Sequence, residues 1–372
     1  MTRYRDLGLT VGAMPTGPLN AITDVDGVTV GTTTIVDGDG PLEIGVGPVR
    51  TGVTVVVPHD GIGRTTLFAG CHRLNGNGEL TGLEWVRESG QLSTPIAITN
   101  THSVGVVRDA LVAHDVHGRD DATAFWSLPV VGETYDGALN DINGMHVRPD
   151  HVEQALRAAI GGPVPEGNVG GGTGMICHEF KGGTGTASRR TPERHTVGAL
   201  VQANHGRRER LTVDGVPVGR ELPTTAIPSA WDEEERVSLA GSGSIIVVVA
   251  TDAPLLPHQL ERVAQRAGLG IARAGGGGEH SSGDLFIAFS TANHDRNQSY
   301  KVEQPATPVQ VQMLPDAGIS ELFWATIEAT EEAILNALVA AETSTGRDGI
   351  TAHALPHEAL VEIMRRYGRG PA

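Results

Sequence analysis

Cysteine is nearly absent from this chain: Cys71 and Cys177 stand far apart in 372 residues. One pair would be a thin disulfide framework at this length, and the two have no metal-binding spacing, so a reducing compartment is expected. Aromatic residues are scarce as well, at 4%. No uninterrupted apolar run approaches the roughly 18 residues of a membrane-spanning helix, and the first residues, Met1 to Leu7, lack the apolar centre of a signal peptide. The cytoplasm is the expected location, with no membrane partner. Positive charge is short: 28 Lys and Arg stand against 44 Asp and Glu, for a net charge of -16. A nucleic acid or an anionic membrane surface rewards a basic face, so neither is expected as a partner. Among fifteen histidines there is no His-Glu-x-x-His pattern, and His178-Glu179 has no second ligand at suitable spacing. No phosphate-binding Gly-x-x-x-x-Gly-Lys-[Ser/Thr] occurs, and Gly170 to Gly174, the nearest imitation of a nucleotide loop, leads towards another strand. Neither a metal nor an organic cofactor is expected.

What the chain has is glycine, 50 residues of it, with 39% hydrophobic residues. That is a compact chain with many tight turns, long enough to bury a large core. Short β-branched runs (25–34, 52–58, 95–99) alternate with helical patterns at 79–88, 103–114 and 150–160, an α/β or α+β arrangement. Two Gly-rich stretches, 161–174 and 181–185, read as hairpin turns between strands. Residues 213–240, with Pro223, Pro228 and the acidic run Asp232 to Glu235, read as an exposed loop. Beyond it come a strand (245–251), a helix (257–273), a Gly-rich turn, a strand (284–289) and two further helices (320–342 and 356–367). The 372 residues read as a single domain.

The exposed loop runs directly into Gly241-Ser242-Gly243-Ser244 and a buried strand. A serine hydroxyl is a weak nucleophile that needs a base beside it. A serine that begins a chain carries its own, because a free α-amine has a pKa of about 7.7–8.0 and is partly neutral near physiological pH. Gly243, without a Cβ, can adopt the backbone angles that bring the Ser244 hydroxyl onto the carbonyl before it. The string therefore reads as a self-cleavage site at Gly243–Ser244. It is also the composition of a flexible turn or linker.

Three further groups carry polar side chains at strand-like spacing. In Ser282-Gly283-Asp284 the serine and the carboxylate lie two residues apart, on one face of a strand, where they can orient an amine or relay its proton. In Glu133-Thr134-Tyr135 the carboxylate suits a substrate ammonium and the phenol can donate to a developing oxyanion. Asn204, at the end of a strand, offers a side-chain amide for the same purpose. Taken singly, each group is also ordinary turn chemistry.

In order and spacing these residues resemble the DmpA-type aminopeptidases, the L-aminopeptidase/D-amidase/D-esterases, with the β-peptidyl aminopeptidases as relatives. The likeness runs from Asn20-Ala21-Ile22-Thr23-Asp24 through Asn100-Thr101-His102-Ser103 and Gly132-Glu133-Thr134-Tyr135-Asp136-Gly137, and is strongest at 244–255 and 282–293. The resemblance implies a four-layer αββα sandwich like that of the N-terminal-nucleophile hydrolases but with different strand connectivity. It also implies self-cleavage into an α chain (1–243) and a β chain (244–372) that assemble as a tetramer of αβ units. Ser244 would be the nucleophile, Ser282 and Asp284 its support, Tyr135 and Asn204 the oxyanion donors, and Glu133 the receptor of the substrate's α-ammonium. Trp126 would line the pocket. The substrates implied are small peptides or amino-acid amides or esters. Three alternatives stay open: an amidase acting on non-peptide amides, an acyltransferase of the same architecture, which would use Thr as nucleophile, and a scaffold that never cleaves.

Overall fold

The computed structural model describes residues 1–118, 126–231, 243–294 and 308–371. Two sheets face each other. The smaller has four strands in the order β1-β2-β5-β6: β1 (Thr29–Asp37), β2 (Val49–Val57), β5 (Ile96–Asn100) and β6 (Val130–Thr134). The larger has six in the order β4-β3-β12-β11-β10-β9: β3 (Leu67–Gly76), β4 (Gln91–Leu92), β9 (Gly183–Arg190), β10 (Thr196–Asn204), β11 (Gly243–Thr251) and β12 (Ser282–Ser290). Between them in the chain lies a separate two-residue hairpin, β7 (Ile176–Cys177) with β8 (Phe180–Lys181). The helices are α1 (Leu83–Ser89), α2 (Val104–His117), α3 (Pro149–Arg157), α4 (Val218–Glu221), α5 (Pro257–Arg273), α6 (Ile319–Ala340) and α7 (His357–Arg366).

Side-chain alternation sorts the strands into layers, because successive residues of a strand point to opposite faces. In β11, Ile246, Val248 and Ala250 join Leu285, Ile287 and Phe289 of β12 and Val56, Ile96 and Ile98 of the smaller sheet in the core between the sheets. The intervening Ile245, Val247 and Val249 pack instead with Leu260, Val263 and Ala267 of α5 and Ile334 and Leu338 of α6. On the far side, Val53, Val55 and Ala97 meet Val104, Val107 and Leu111 of α2 and Val152 of α3. The result is the expected αββα sandwich. A strand covered on both faces has no polar face to show, which is why 245–250 is apolar without a break.

Two expectations about loops fail. Gly170–Gly174 is a buried 3-10 turn lodged against β2 rather than part of a surface hairpin. A Cβ on Gly172 would collide with the backbone nitrogen of Thr184, so close approach selects glycine here. In 213–240, the first third is not an exposed loop. Val213 and Val216 form a small antiparallel bridge, α4 follows, and Val213, Val216, Val218 and Leu222 are buried in the core beneath α5 and α6. The rest of that segment from 232 on, with the acidic run Asp232 to Glu235, lies outside the described residues.

Lys181 ties the buried Gly-rich turn to β8. Its side chain is fully buried, and Nζ donates to the carbonyls of Met175 and Gly182 at 2.8 Å and of Gly172 at 3.3 Å. Burial pushes the ammonium down to about 7, while three carbonyl acceptors at close range favour the charge. Lys181→Met keeps the bulk but leaves the Gly182 carbonyl without this donor, at about 1–3 kcal/mol where water cannot replace it. It also takes a second bond, about 1 kcal/mol each, from the Met175 and Gly172 carbonyls, which keep the Gly182 and Met175 N–H donors. Stability is expected to fall by about 3 kcal/mol or more, read as a lower denaturant midpoint with an unchanged slope. An unchanged midpoint would show that Lys181 does not hold the turn.

Candidate active site

Strand register brings the chemically suspect residues to one end of the sandwich, where β6 and β10 finish and β11 and β12 begin. Ser244 stands directly across from Asn204 in the antiparallel pairing of β11 with β10. In the parallel pairing of β11 with β12, Gly243 faces Ser282 and Ser244 faces Gly283. A cavity of about 660 Å³ opens here, lined by Ser244, Gly243, Asn204, Tyr135 and Glu133, with Thr101, His205 and Trp231 among its other walls.

Ser244 is buried, and its hydroxyl is folded back on the peptide bond that precedes it. Oγ donates to the Gly243 carbonyl at 2.6 Å and accepts from the Gly283 N–H at 3.2 Å. With that peptide bond intact the Ser244 nitrogen is an amide. Gly243 holds the fold-back in place with φ at +145°, a backbone state that favours glycine, and a Cβ there would approach the Asn204 carbonyl to 2.7 Å. No histidine ring is hydrogen-bonded to the Ser244 hydroxyl among the described residues.

Ser282 and Asp284 do share a face, as their spacing predicts: Ser282 Oγ donates to Asp284 Oδ1 at 2.7 Å. That face is the one turned to the helices. The pair borders a small hollow with Ile271 of α5 and His205, whereas the Ser244 side chain belongs to the other face and the large cavity. Burial raises the Asp284 carboxyl above its usual range, against the opposing pull of the Ser282 hydroxyl.

Glu133 is buried at the cavity wall. Its Oε1 accepts the Glu79 N–H at 2.9 Å and its Oε2 accepts the Thr101 hydroxyl. Each oxygen keeps a second lone pair, so the carboxylate can take a further donor from the cavity. Burial raises its pKa, with the Thr101 and Glu79 hydrogen bonds opposing the shift. A cation arriving in the cavity would relieve that penalty. The Asn204 amide is held at both ends: Oδ1 accepts the Ile176 N–H at 2.7 Å and Nδ2 donates to the Tyr135 carbonyl at 3.0 Å. One Nδ2 hydrogen is left, and the half-exposed Tyr135 side chain stands in the same cavity wall.

Trp126 is not among the residues that line this cavity; its ring meets Trp85 edge-on, with centroids 5.4 Å apart. The indole at the cavity wall is Trp231. Reading the chain alone also missed Thr101 and the Glu79 N–H, which orient Glu133. The string Asn100-Thr101-His102-Ser103 was visible but carried no role, because only the parallel pairing of β5 with β6 sets Thr101 beside Glu133.

A central strand with a serine as its second residue, inside an αββα sandwich and beside a cavity with a buried carboxylate, is the arrangement of a hydrolase with the N-terminal-nucleophile fold. The chain belongs to peptidase family S58, whose sequence profile matches residues 20–352. It is 49% identical to a β-peptidyl aminopeptidase BapA of Sphingosinicella microcystinivorans over 99% of this chain and 93% of that protein. A solved β-aminopeptidase of a Burkholderia species superposes with a TM-score of 0.90 at 51% identity, covering 99% of both chains. The L-aminopeptidase D-Ala-esterase/amidase of Ochrobactrum anthropi, described as a prototype for the serine aminopeptidases and a new variant of the Ntn hydrolase fold, superposes with a TM-score of 0.89 at 45% identity. It covers 100% of this chain, and this chain covers 99% of it.

Proposed function

We propose that this peptidase cuts itself between Gly243 and Ser244 and then works as an aminopeptidase, with Ser244 as nucleophile and its freed α-amine as base. The observation that carries this reading is the Ser244 hydroxyl, 2.6 Å from the Gly243 carbonyl oxygen and on the wall of the cavity that holds Glu133. In the precursor, Oγ adds to the Gly243 carbonyl carbon, the C–N bond breaks, and the ester so formed is hydrolysed by water. The nitrogen leaves as the α-amine of a new chain. In the mature protein the neutral amine takes the hydroxyl proton, Oγ attacks the first acyl carbonyl of the substrate, and the protonated amine then gives its proton to the leaving group. Water resolves the acyl-enzyme by the reverse route.

Asn204 Nδ2 and the Tyr135 hydroxyl are the oxyanion donors in this scheme, and Ser282 with Asp284 lies across the strand pair, where the pair can orient the new amine. Glu133 receives the α-ammonium of the substrate, which restricts cleavage to free amino termini. Short peptides and amino-acid amides or esters suit the cavity. Assembly as a tetramer of αβ units belongs to the same reading and is checked by light scattering on the purified protein.

Denaturing electrophoresis with intact mass measurement tests the central claim. Two chains are expected, 1–243 and 244–372, the second beginning with Ser244, together with hydrolysis of an aminoacyl p-nitroanilide. An uncut chain that hydrolyses the same compound would overturn the scheme. Within it, Asn204→Ala is expected to lower kcat by about a hundredfold or more with a smaller change in KM, the usual loss for one oxyanion donor. A change confined to KM would place Asn204 in binding instead.

A further inference from the structure

Three side chains outside the proposed machinery lie together beside the cavity, whose wall includes one of them, His205: Cys177, His178 and His205, all buried. One donor atom from each lies within 4.8 Å of the other two, and Cys177 Sγ is 3.9 Å from His205 Nδ1. Their positions in the chain hide this, because the cysteine and His178 belong to the β7–β8 hairpin while His205 follows the end of β10.

The hairpin is built to aim His178. Its two central residues, His178 and Glu179, have φ values of +50° and +60°, the left-handed pair that closes a two-residue turn. Arg208 holds both carbonyls of that turn, at 3.2 and 2.7 Å, and the His178 N–H donates to the His205 carbonyl at 2.7 Å. In the ring of His178, Nδ1 lies 3.0 Å from the Arg207 carbonyl oxygen. A carbonyl can only accept, so Nδ1 carries the proton and Nε2 keeps its lone pair. This is the outer bond that fixes the tautomer of a metal-ligating histidine. Nε2 of His178 and Nε2 of His205 are both buried without a hydrogen-bond partner.

We propose that Cys177, His178 and His205 form a binding site for a thiophilic divalent cation of the Zn²⁺ or Cd²⁺ type, and that its occupation inhibits hydrolysis. One sulfur and two imidazole nitrogens are the donor set of such ions, and a fourth position remains for water. Ligand atoms around a tetrahedral zinc stand roughly 3.3–3.8 Å apart, so the cluster must close by about 1 Å. On binding, the Cys177 thiol releases its proton to solvent and the thiolate sulfur forms the metal bond. His205 borders both the large cavity and the small hollow behind it, which gives the ion a way in.

The inhibition follows from neighbours. Cys177 is next to Ile176, whose N–H holds the Asn204 amide, and His205 is next to Asn204 itself. Drawing Cys177 and His205 together shifts the Ile176 N–H that anchors the amide oxygen and the backbone of Asn204 itself. Binding stands on the three ligands alone, whereas the inhibition rests on the role proposed for Asn204.

The test is a titration of the chelator-treated protein with Cd²⁺, followed by the ultraviolet thiolate-to-metal charge-transfer band. One ion per chain is expected, displaced by Zn²⁺, with the band lost in Cys177→Ser and kept in Cys71→Ser. His178→Asn, whose side chain tolerates positive φ, is expected to weaken binding by about tenfold or more. Hydrolysis should fall in step with the band and return on adding EDTA. A native protein that shows no band, or a band that survives Cys177→Ser, overturns the site. A band without any change in rate overturns the inhibition. A protein that hydrolyses nothing before metal is added would count against the proposed function and still leave the band to be read.

Discussion

Ser244→Ala is expected to yield one uncut chain of 372 residues with hydrolysis reduced on the order of a millionfold, the loss seen when a catalytic serine is removed. The effect is large because one oxygen is used twice. Before cleavage it is the only side-chain group hydrogen-bonded to the Gly243 carbonyl among the described residues, and after cleavage it is the acyl acceptor. Gly243→Ala separates the two uses. Alanine keeps the hydroxyl but is strained at φ +145° and brings its Cβ to 2.7 Å from the Asn204 carbonyl. Uncut chain should therefore accumulate, while whatever fraction is cut hydrolyses substrate. Electrophoresis over a time course, scored beside p-nitroanilide turnover, distinguishes the pair. A Ser244→Ala protein that still divides at residue 243 would assign the cleavage to another nucleophile. A Gly243→Ala protein that divides as fast as the native one would remove backbone conformation from the account.

How much of this was legible beforehand depends on whether a feature is local in the chain. The apolar run 245–250 announces a strand covered on both faces, and the i, i+2 spacing of Ser282 and Asp284 foretells the bond between them. Register is not local. Asn204 meets Ser244 across two strands separated by a long connection, and Thr101 meets Glu133 across a parallel pair with a whole helix between. Composition also misleads where it averages. Pro223, Pro228 and the acidic run outweighed Val213, Val216, Val218 and Leu222, whose apolar side chains pin the start of the same segment into the core. Gly170–Gly174 looked like a turn because glycine permits turns, but here it permits a close approach between buried backbones. The histidines were set aside for want of spacing, although His178 and His205 are neighbours in space, with ring centroids 5.2 Å apart.

Glu133→Gln is the second large effect and the one that decides whether free amino termini matter. Glutamine preserves the size of the side chain and the acceptor that meets the Glu79 N–H at 2.9 Å, so the fold around it should hold. What disappears is the charge. In the native protein burial raises the pKa of this carboxyl, and a bound ammonium offsets that by stabilising the ionised form. Losing one partner of a desolvated charge pair costs about 2–5 kcal/mol, so kcat/KM for aminoacyl substrates is expected to drop by about thirtyfold or more. An N-acetylated substrate, which has no ammonium to place, should be turned over poorly by the native protein and no worse by the variant. The pH profile gives an independent reading. The ionised carboxylate is the form that binds the cation, so the native rate with aminoacyl substrates loses this contribution as pH falls through the raised pKa of Glu133. The variant should lack that component. Equal losses on free and acetylated substrates would mean that Glu133 shapes the cavity without selecting the amino terminus, and the amidase indifferent to α-amines would then become the better account of this site.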